Sequence, residues 1–348
     1  MKKSISTNVL LMVSVLSLTA LTAHSQAFQR YDNFPSPERY GVVGAALPDG
    51  RLLLWNGNGV YLQDWARVDG FTLKAQGYEG DPAFLALSPS GRTALLGAGG
   101  WGADPWLDRI YRFDPTAPRD FAPDAVAAVL PHYAAAFLTE DLVAIDAGAG
   151  DWMNSVIVVH DLRGTKSAPA PVLYKPAPPK GETVIYKPGY SAALTVDHER
   201  GRLYAMDAAS LELRAFSVAA LINAYETGGT LDWAGDGVLI GAPGAYFNGG
   251  VNGITPDGRL VISGAFGWSL PGGVQIVDPD TGTVIETLDP SGVYAYTSAI
   301  YNPVTGQITA IADGLAYATG GFDTLPAAGL AGLLALAGFL AIAARRRA

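Results

Sequence analysis

Six stretches of this 348-residue chain repeat one plan: a small-residue apolar strand, a polar turn, then a second apolar strand. The first stretch runs from Tyr40 to Ala46, turns through Leu47-Pro48-Asp49-Gly50-Arg51 and continues as Leu52-Leu53-Leu54-Trp55. The second passes from Ala83 to Ala86 through Ser88-Pro89-Ser90-Gly91-Arg92 into Ala94-Leu95-Leu96. The third pairs Tyr133–Phe137 with Leu142–Ile145, and the fourth pairs Tyr190–Leu194 with Leu203–Met206. The fifth pairs Val251–Ile254 with Leu260–Ile262 across Thr255-Pro256-Asp257-Gly258-Arg259, and the sixth pairs Tyr296–Ile300 with Ile308–Ile311. Pro-Asp-Gly suits such a hairpin, because Pro presets φ and Gly takes the left-handed position. A third strand follows in several units: Arg109–Phe113, Ser155–Val159, Leu211–Phe216 and Val274–Val277.

The second strands begin at positions 52, 93, 142, 203, 260 and 308, a spacing of 41 to 61 residues. That period resembles the blades of a β-propeller with insertions. The expected fold is all-β, a single propeller over residues 27–320 with six blades, or seven if Leu231 to Tyr246 holds a degenerate one. The many Gly and Pro residues, 42 and 23, favour short strands and tight turns over helices. The Pro-rich stretch from Ala168 to Pro188 reads as an extended excursion inside one blade. Phe28 to Tyr31 is expected to complete the blade that holds Leu315 to Thr319, which would remove a free sheet edge. The alternative is two β-sandwiches split near the Pro-rich stretch.

The chain ends are of another kind. Lys2 and Lys3 precede an apolar stretch from Val9 to Leu21, and Ala23 and Ser25 are small residues suited to a cleavage site before Gln26. Residues 1–26 therefore read as a signal peptide, with an uncleaved anchor as the alternative. At the other end an apolar run from Ala327 to Ala344 closes on Arg345, Arg346 and Arg347. As a helix rising 1.5 Å per residue it would span about 27 Å, close to a bilayer core, with residues 345–348 as a cytoplasmic tail.

Leu325-Pro326-Ala327, the Gly/Ala/Leu-rich run and the terminal arginines resemble the PEP-CTERM and VPLPA sorting signals of Gram-negative bacteria. Residues 321–326 would be the linker and sorting motif. Where that family has Val-Pro before the Leu-Pro-Ala, this chain has Asp323-Thr324. The resemblance implies an exosortase-type processing enzyme as partner. It also implies an inner-membrane anchor before processing, then delivery to the cell surface or an exopolysaccharide matrix. It covers under a tenth of the chain and does not speak for the body.

The body holds no Cys, so an exported form has neither disulfides nor thiolate metal sites. The chain has 23 basic and 32 acidic side chains, and five of the basic ones sit in the two terminal segments. So acidic a body argues against nucleic acid and anionic lipid as partners of the propeller.

In a propeller the connections into each innermost strand and those between second and third strands converge on one face. Tyr40, Tyr78, Tyr133, Tyr190, Tyr246 and Tyr296 lie at or near the start of innermost strands. Trp101, Trp106, Trp152 and Trp268 lie in Gly-rich second-to-third connections. Such rings can stack on sugar faces, with Arg39, Glu79, Asp81, His132 and Lys187 supplying hydrogen bonds. The alternative is that they wedge between blades as core.

Catalytic signals are weak. His132, His160 and His198 show no metal-ligand spacing, and Asp278-Pro279-Asp280-Thr281-Gly282 reads as a hairpin turn and not as a Ca²⁺ loop. The sequence names no cofactor. The expected role is a binding or scaffolding module for polysaccharide or envelope proteins. The rival is an extracytoplasmic propeller enzyme of lactonase, hydrolase or quinoprotein type with an axial active site.

Overall fold

The computed structural model describes residues 28–37, 41–64, 70–78, 80–98, 109–115, 125–127, 132–148, 155–163, 183–208, 210–242, 247–265, 272–288, 298–312 and 315–319. The first strand, β1 (Phe28–Arg30), is set aside by the chain for later use. Blade 1 then follows as β2 (Val43–Ala46), β3 (Leu52–Trp55), β4 (Val60–Gln63) and β5 (Phe71–Ala75). Blade 2 is β6 (Pro82–Leu87), β7 (Ala94–Ala98), β8 (Arg109–Phe113) and β9 (Ala125–Ala127). Blade 3 is β10 (His132–Phe137), β11 (Leu142–Gly148), β12 (Ser155–Asp161) and β13 (Thr183–Lys187). In blade 4, β14 (Thr195–Asp197), β15 (Arg202–Met206) and β16 (Leu213–Ser217) are followed by helix α1 (Val218–Thr227) and β17 (Leu231–Asp232). Only then does its fourth strand, β18 (Val238–Gly241), form. Blade 5 is β19 (Phe247–Ile254), β20 (Leu260–Ala265), β21 (Gly272–Val277) and β22 (Val284–Leu288). Blade 6 is β23 (Ser298–Tyr301), β24 (Ile308–Ala312) and β25 (Leu315–Thr319), completed by β1.

The innermost strands close a ring: β2 touches β6, β6 touches β10, β10 touches β14, β14 touches β19, β19 touches β23, and β23 returns to β2. Six blades close it. Leu231 to Tyr246 is not a seventh blade: β17 adds itself in parallel to the outer edge of blade 3, and β18 belongs to blade 4. The two-sandwich alternative falls with the closed ring.

Why the second strands are apolar at every position follows from this arrangement. Alternate side chains of a strand point to opposite faces, and here each face meets a neighbouring blade. Leu53 and Trp55 pack toward blade 2 with Leu96 and Tyr111, while Leu52 and Leu54 pack toward blade 6 with Ile300 and Ile311. The same division holds at the other seams, so one apolar layer lies between each adjacent pair of blades. Gly250 shows how close the inner strands come: a Cβ there would lie 2.3 Å from the Ala193 backbone nitrogen.

The seam is the expected one. Phe28, Gln29 and Arg30 pair antiparallel with Thr319, Ala318 and Tyr317. Tyr31 is buried beside it, its hydroxyl 3.3 Å from Thr309 Oγ1, and its ring meets Phe34 at a tilt and Phe71 edge-on. Burial pushes the Tyr31 hydroxyl up to about 12.

The hairpin turns between first and second strands gather on one face, called lower here, and hold adjacent blades together. Asn302 Nδ2 donates to Gly50 O at 2.6 Å, and Ser90 N and Oγ each donate to the Glu140 carboxylate at 2.7 Å. Arg200 Nη1 donates to Gly258 O at 3.2 Å. Asp278 does the work of a turn: its Oδ1 accepts from Asp280 N and Thr281 N, both at 2.9 Å, which holds its carboxyl below the usual carboxylate range.

Three local expectations change. Leu211 has φ 62 and sits in a turn whose N–H donates to Asp207 O, so the third strand of blade 4 begins at Leu213. The innermost strand of that blade is Thr195–Asp197, and residues 190–194 form the approach to it. The fold also holds a helix that the turn-rich composition did not announce. Ser217 caps α1, its Oγ accepting from Ala220 N, and Gly228 ends it with φ 69. Leu221, Ala224 and Tyr225 bury its inner side against blades 3 and 4.

Candidate functional site

The upper face, opposite the hairpin turns, carries the connections between second and third strands and those into the innermost strands. Along the axis beneath it runs a cavity of about 80 Å³ walled by all six blades. Gly44, Ala83, Ala134, Ala193 and Ala299 line the wall with little or no side chain, while Asn252 contributes an amide and Ser298 a hydroxyl. That amide is engaged: Nδ2 donates to Gly250 O and to Ser263 Oγ, and Oδ1 accepts from Ala299 N. Small residues here follow from crowding of six strands about one axis. Among the described residues, no group of three or more His, Cys, Asp or Glu could hold a metal ion.

Beside the axis, between blades 3 and 4, the upper face covers a buried polar cluster. Asp146 lies near the end of β11 and Lys187 ends β13, 41 positions apart in sequence. Their side chains are fully buried, with Lys187 Nζ 2.5 Å from Asp146 Oδ2. Nζ also donates to Ser191 Oγ at 2.8 Å and to Met206 O at 3.0 Å. Ser155 Oγ donates to Asp146 Oδ1, Ser191 N donates to Oδ2 at 2.9 Å, and Ser191 Oγ donates to Met206 O. Burial pulls the Lys187 amine down from its ordinary value, opposed by Asp146 and, more distantly, Asp207. The Trp233 ring, from the loop after β17, lies 5.4 Å from Nζ.

Two tyrosines lie over this cluster. Tyr190 is 2% exposed and Tyr133 half-buried, their ring centroids 4.7 Å apart at 39°. Tyr133 sits at the register shift between His132 and Ala134, a bulge that re-aims a side chain. Burial pushes the Tyr190 hydroxyl far up, with Tyr133 and Asp146 adding to it.

The remaining candidates divide plainly. Tyr78 is core: it is 3% exposed, packs edge-on to Tyr111 at 5.6 Å and accepts a hydrogen bond from Trp55 Nε1 at its carbonyl. Tyr40, Tyr246, Tyr296, Trp101, Trp106, Trp152 and Trp268 lie outside the described residues, as do Arg39 and Glu79. The same holds for Leu325, Pro326, Ala327, Arg345, Arg346, Arg347 and both terminal segments. No helix among the described residues is long and apolar enough to cross a membrane. His132 is fully buried, edge-on to Phe84 at 5.5 Å, and Lys187 faces inward, so neither offers a hydrogen bond to the outer surface. Asp146, Ser155, Ser191 and Trp233 escaped the sequence reading. The signal for Asp146 was available, since it is the one carboxylate inside the apolar run Leu142–Ala147.

His160 and Asp161 end β12 and are structural. Asp161 accepts from Arg163 N, Nε and Nη2, and burial holds His160 below the ordinary 6.5 against the opposing pull of Asp161. Because the folded value lies below the unfolded one, the unfolded chain takes up the proton first as pH falls. Stability contributed by neutral His160 is therefore complete at neutral pH and is lost progressively below about 6.5. Urea unfolding from neutral pH to about pH 5.5 should show a smaller loss of stability for His160→Gln than for the wild type. Equal losses would mean that His160 takes up its proton at the same pH in both states.

No protein-family model matches the chain, and no curated protein matches it by sequence. Among solved structures it is similar to the β-propeller domain of Cps50 (Swd1) from Myceliophteria thermophila, with a TM-score of 0.50 and 13% identity. The match covers 81% of this chain and 97% of that one. The likeness is one of fold. It agrees with the propeller fold and carries no site from one protein to the other.

Proposed function

We propose that this chain is an exported propeller that serves as a non-enzymatic binding or scaffolding module in a cell envelope or exopolysaccharide matrix. The observation that carries the reading is Tyr133: a half-open ring on the upper face, backed by a second ring that is itself fixed by burial. A flat aromatic surface held in place loses little entropy when a sugar face stacks on it. Export and sorting rest on residues 1–26 and on the tail from Leu325 to Arg347, whose partner would be an exosortase-type enzyme.

Retention of the purified chain on the producing organism's own polysaccharide tests the binding part. Tyr133→Ala should weaken retention about tenfold while shifting unfolding by less than about 1 kcal/mol, the stacking energy of a partly exposed ring being of that order. Trp101→Ala and Trp152→Ala serve as companions. Retention unchanged in all three would sink the glycan reading. Deleting Arg345 to Arg347 should abolish surface display in fractionated cells; undiminished display would remove the sorting reading.

A further inference from the structure

We propose that Lys187 and Asp146 are joined by an intramolecular isopeptide bond, which the protein forms on itself and which ties β11 to β13 within blade 3. The inference stands on the buried cluster alone and does not depend on export or on any ligand. Three conditions must meet for an amine and a carboxyl to condense without an activating reagent: contact, exclusion of water, and a donor for the oxygen that becomes negative. All three are present. Nζ lies 2.5 Å from Oδ2, both side chains are fully buried, and Ser155 Oγ donates to Oδ1.

The step balances within the pair. A proton passes from the ammonium to the carboxylate along their contact, leaving a neutral amine against a neutral acid. Burial favours the neutral amine, and the Lys187 amine is shifted in that direction. The Nζ lone pair attacks Asp146 Cγ, and the carbonyl electron pair moves to Oδ1, where Ser155 already donates. As the carbonyl re-forms, the bond from Cγ to Oδ2 breaks. The departing hydroxide takes the surplus proton from Nζ and leaves as water. One C–N bond forms and one C–O bond breaks, with no oxidant or cofactor. The amide N–H that remains keeps an acceptor in Met206 O, which Nζ already reaches at 3.0 Å.

Such a link would give a chain without cysteine a covalent closure that no reductant can open. The test is a peptide map of the purified full-length wild type, denatured and digested. A branched peptide is expected that joins the Asp146 and Lys187 segments and is lighter than their combined mass by one water. It should vanish in Lys187→Arg and in Asp146→Ala. Recovery of both segments from the wild type as separate linear peptides would overturn the proposal and leave an ion pair. Because the wild type alone decides, failure of a variant to fold does not obscure the answer.

Discussion

Replacing Lys187 by Met is expected to cost about 3–5 kcal/mol of unfolding free energy, because Asp146 is then left buried without its counterpart, and loss of the proposed covalent link adds to that cost. Asp146 would keep only Ser155 Oγ and Ser191 N as partners, in a site with no exposed surface. Asp146→Leu should cost a similar amount for the converse reason. The double variant should be more stable than either single one, since no charge is then left without its counterpart, although Ser155 and Ser191 lose an acceptor. Urea unfolding of the four proteins gives the coupling directly. If the single costs simply add in the double variant, the two side chains do not act as a unit.

Deletion of residues 28–31 should be at least as damaging and should also change the state of association. The cut removes the pairing of β1 with β25 and the backbone bond from Tyr31 N to Ala316 O. Each such bond contributes about 0.5–1.5 kcal/mol net, and burial of Tyr31 about 1.5–3 kcal/mol, so the total is on the order of 5 kcal/mol. The freshly bared edge of β25 then offers unpaired backbone groups to a second chain. Light scattering should detect dimers or larger species; a deletion variant that stays monomeric and equally stable would show that the ring does not need its closing strand.

Much of this architecture was legible because propeller blades are written locally. A hairpin such as Pro48-Asp49-Gly50 advertises itself through turn chemistry, and Leu52-Leu53-Leu54-Trp55 is apolar throughout because both its faces are buried. The period between hairpins then implies the ring. Closure by Phe28–Arg30 was also readable, because a short segment led by Phe28 ahead of the first unit has an obvious vacancy to fill in the last. What escaped is non-local or conditional. Asp146 finds its partner across the Pro-rich excursion, and nothing in the spacing of 41 residues marks that pairing. Helix α1 is short, and its caps at Ser217 and Gly228 resemble ordinary hairpin punctuation. Tyr78 and Tyr133 both stand near the start of an innermost strand, yet one is core and the other half-open: Tyr78 lies four residues ahead of β6, whereas Tyr133 lies within β10 at its register shift.

The seam between β1 and β25 fixes one more thing. Phe28 stands opposite Thr319, so the polypeptide enters and departs the disc at a single point, on the side of the hairpin turns. A leash attached at either terminus would hang the disc by that underside, turning Tyr133 and Tyr190 outward from whatever surface holds it.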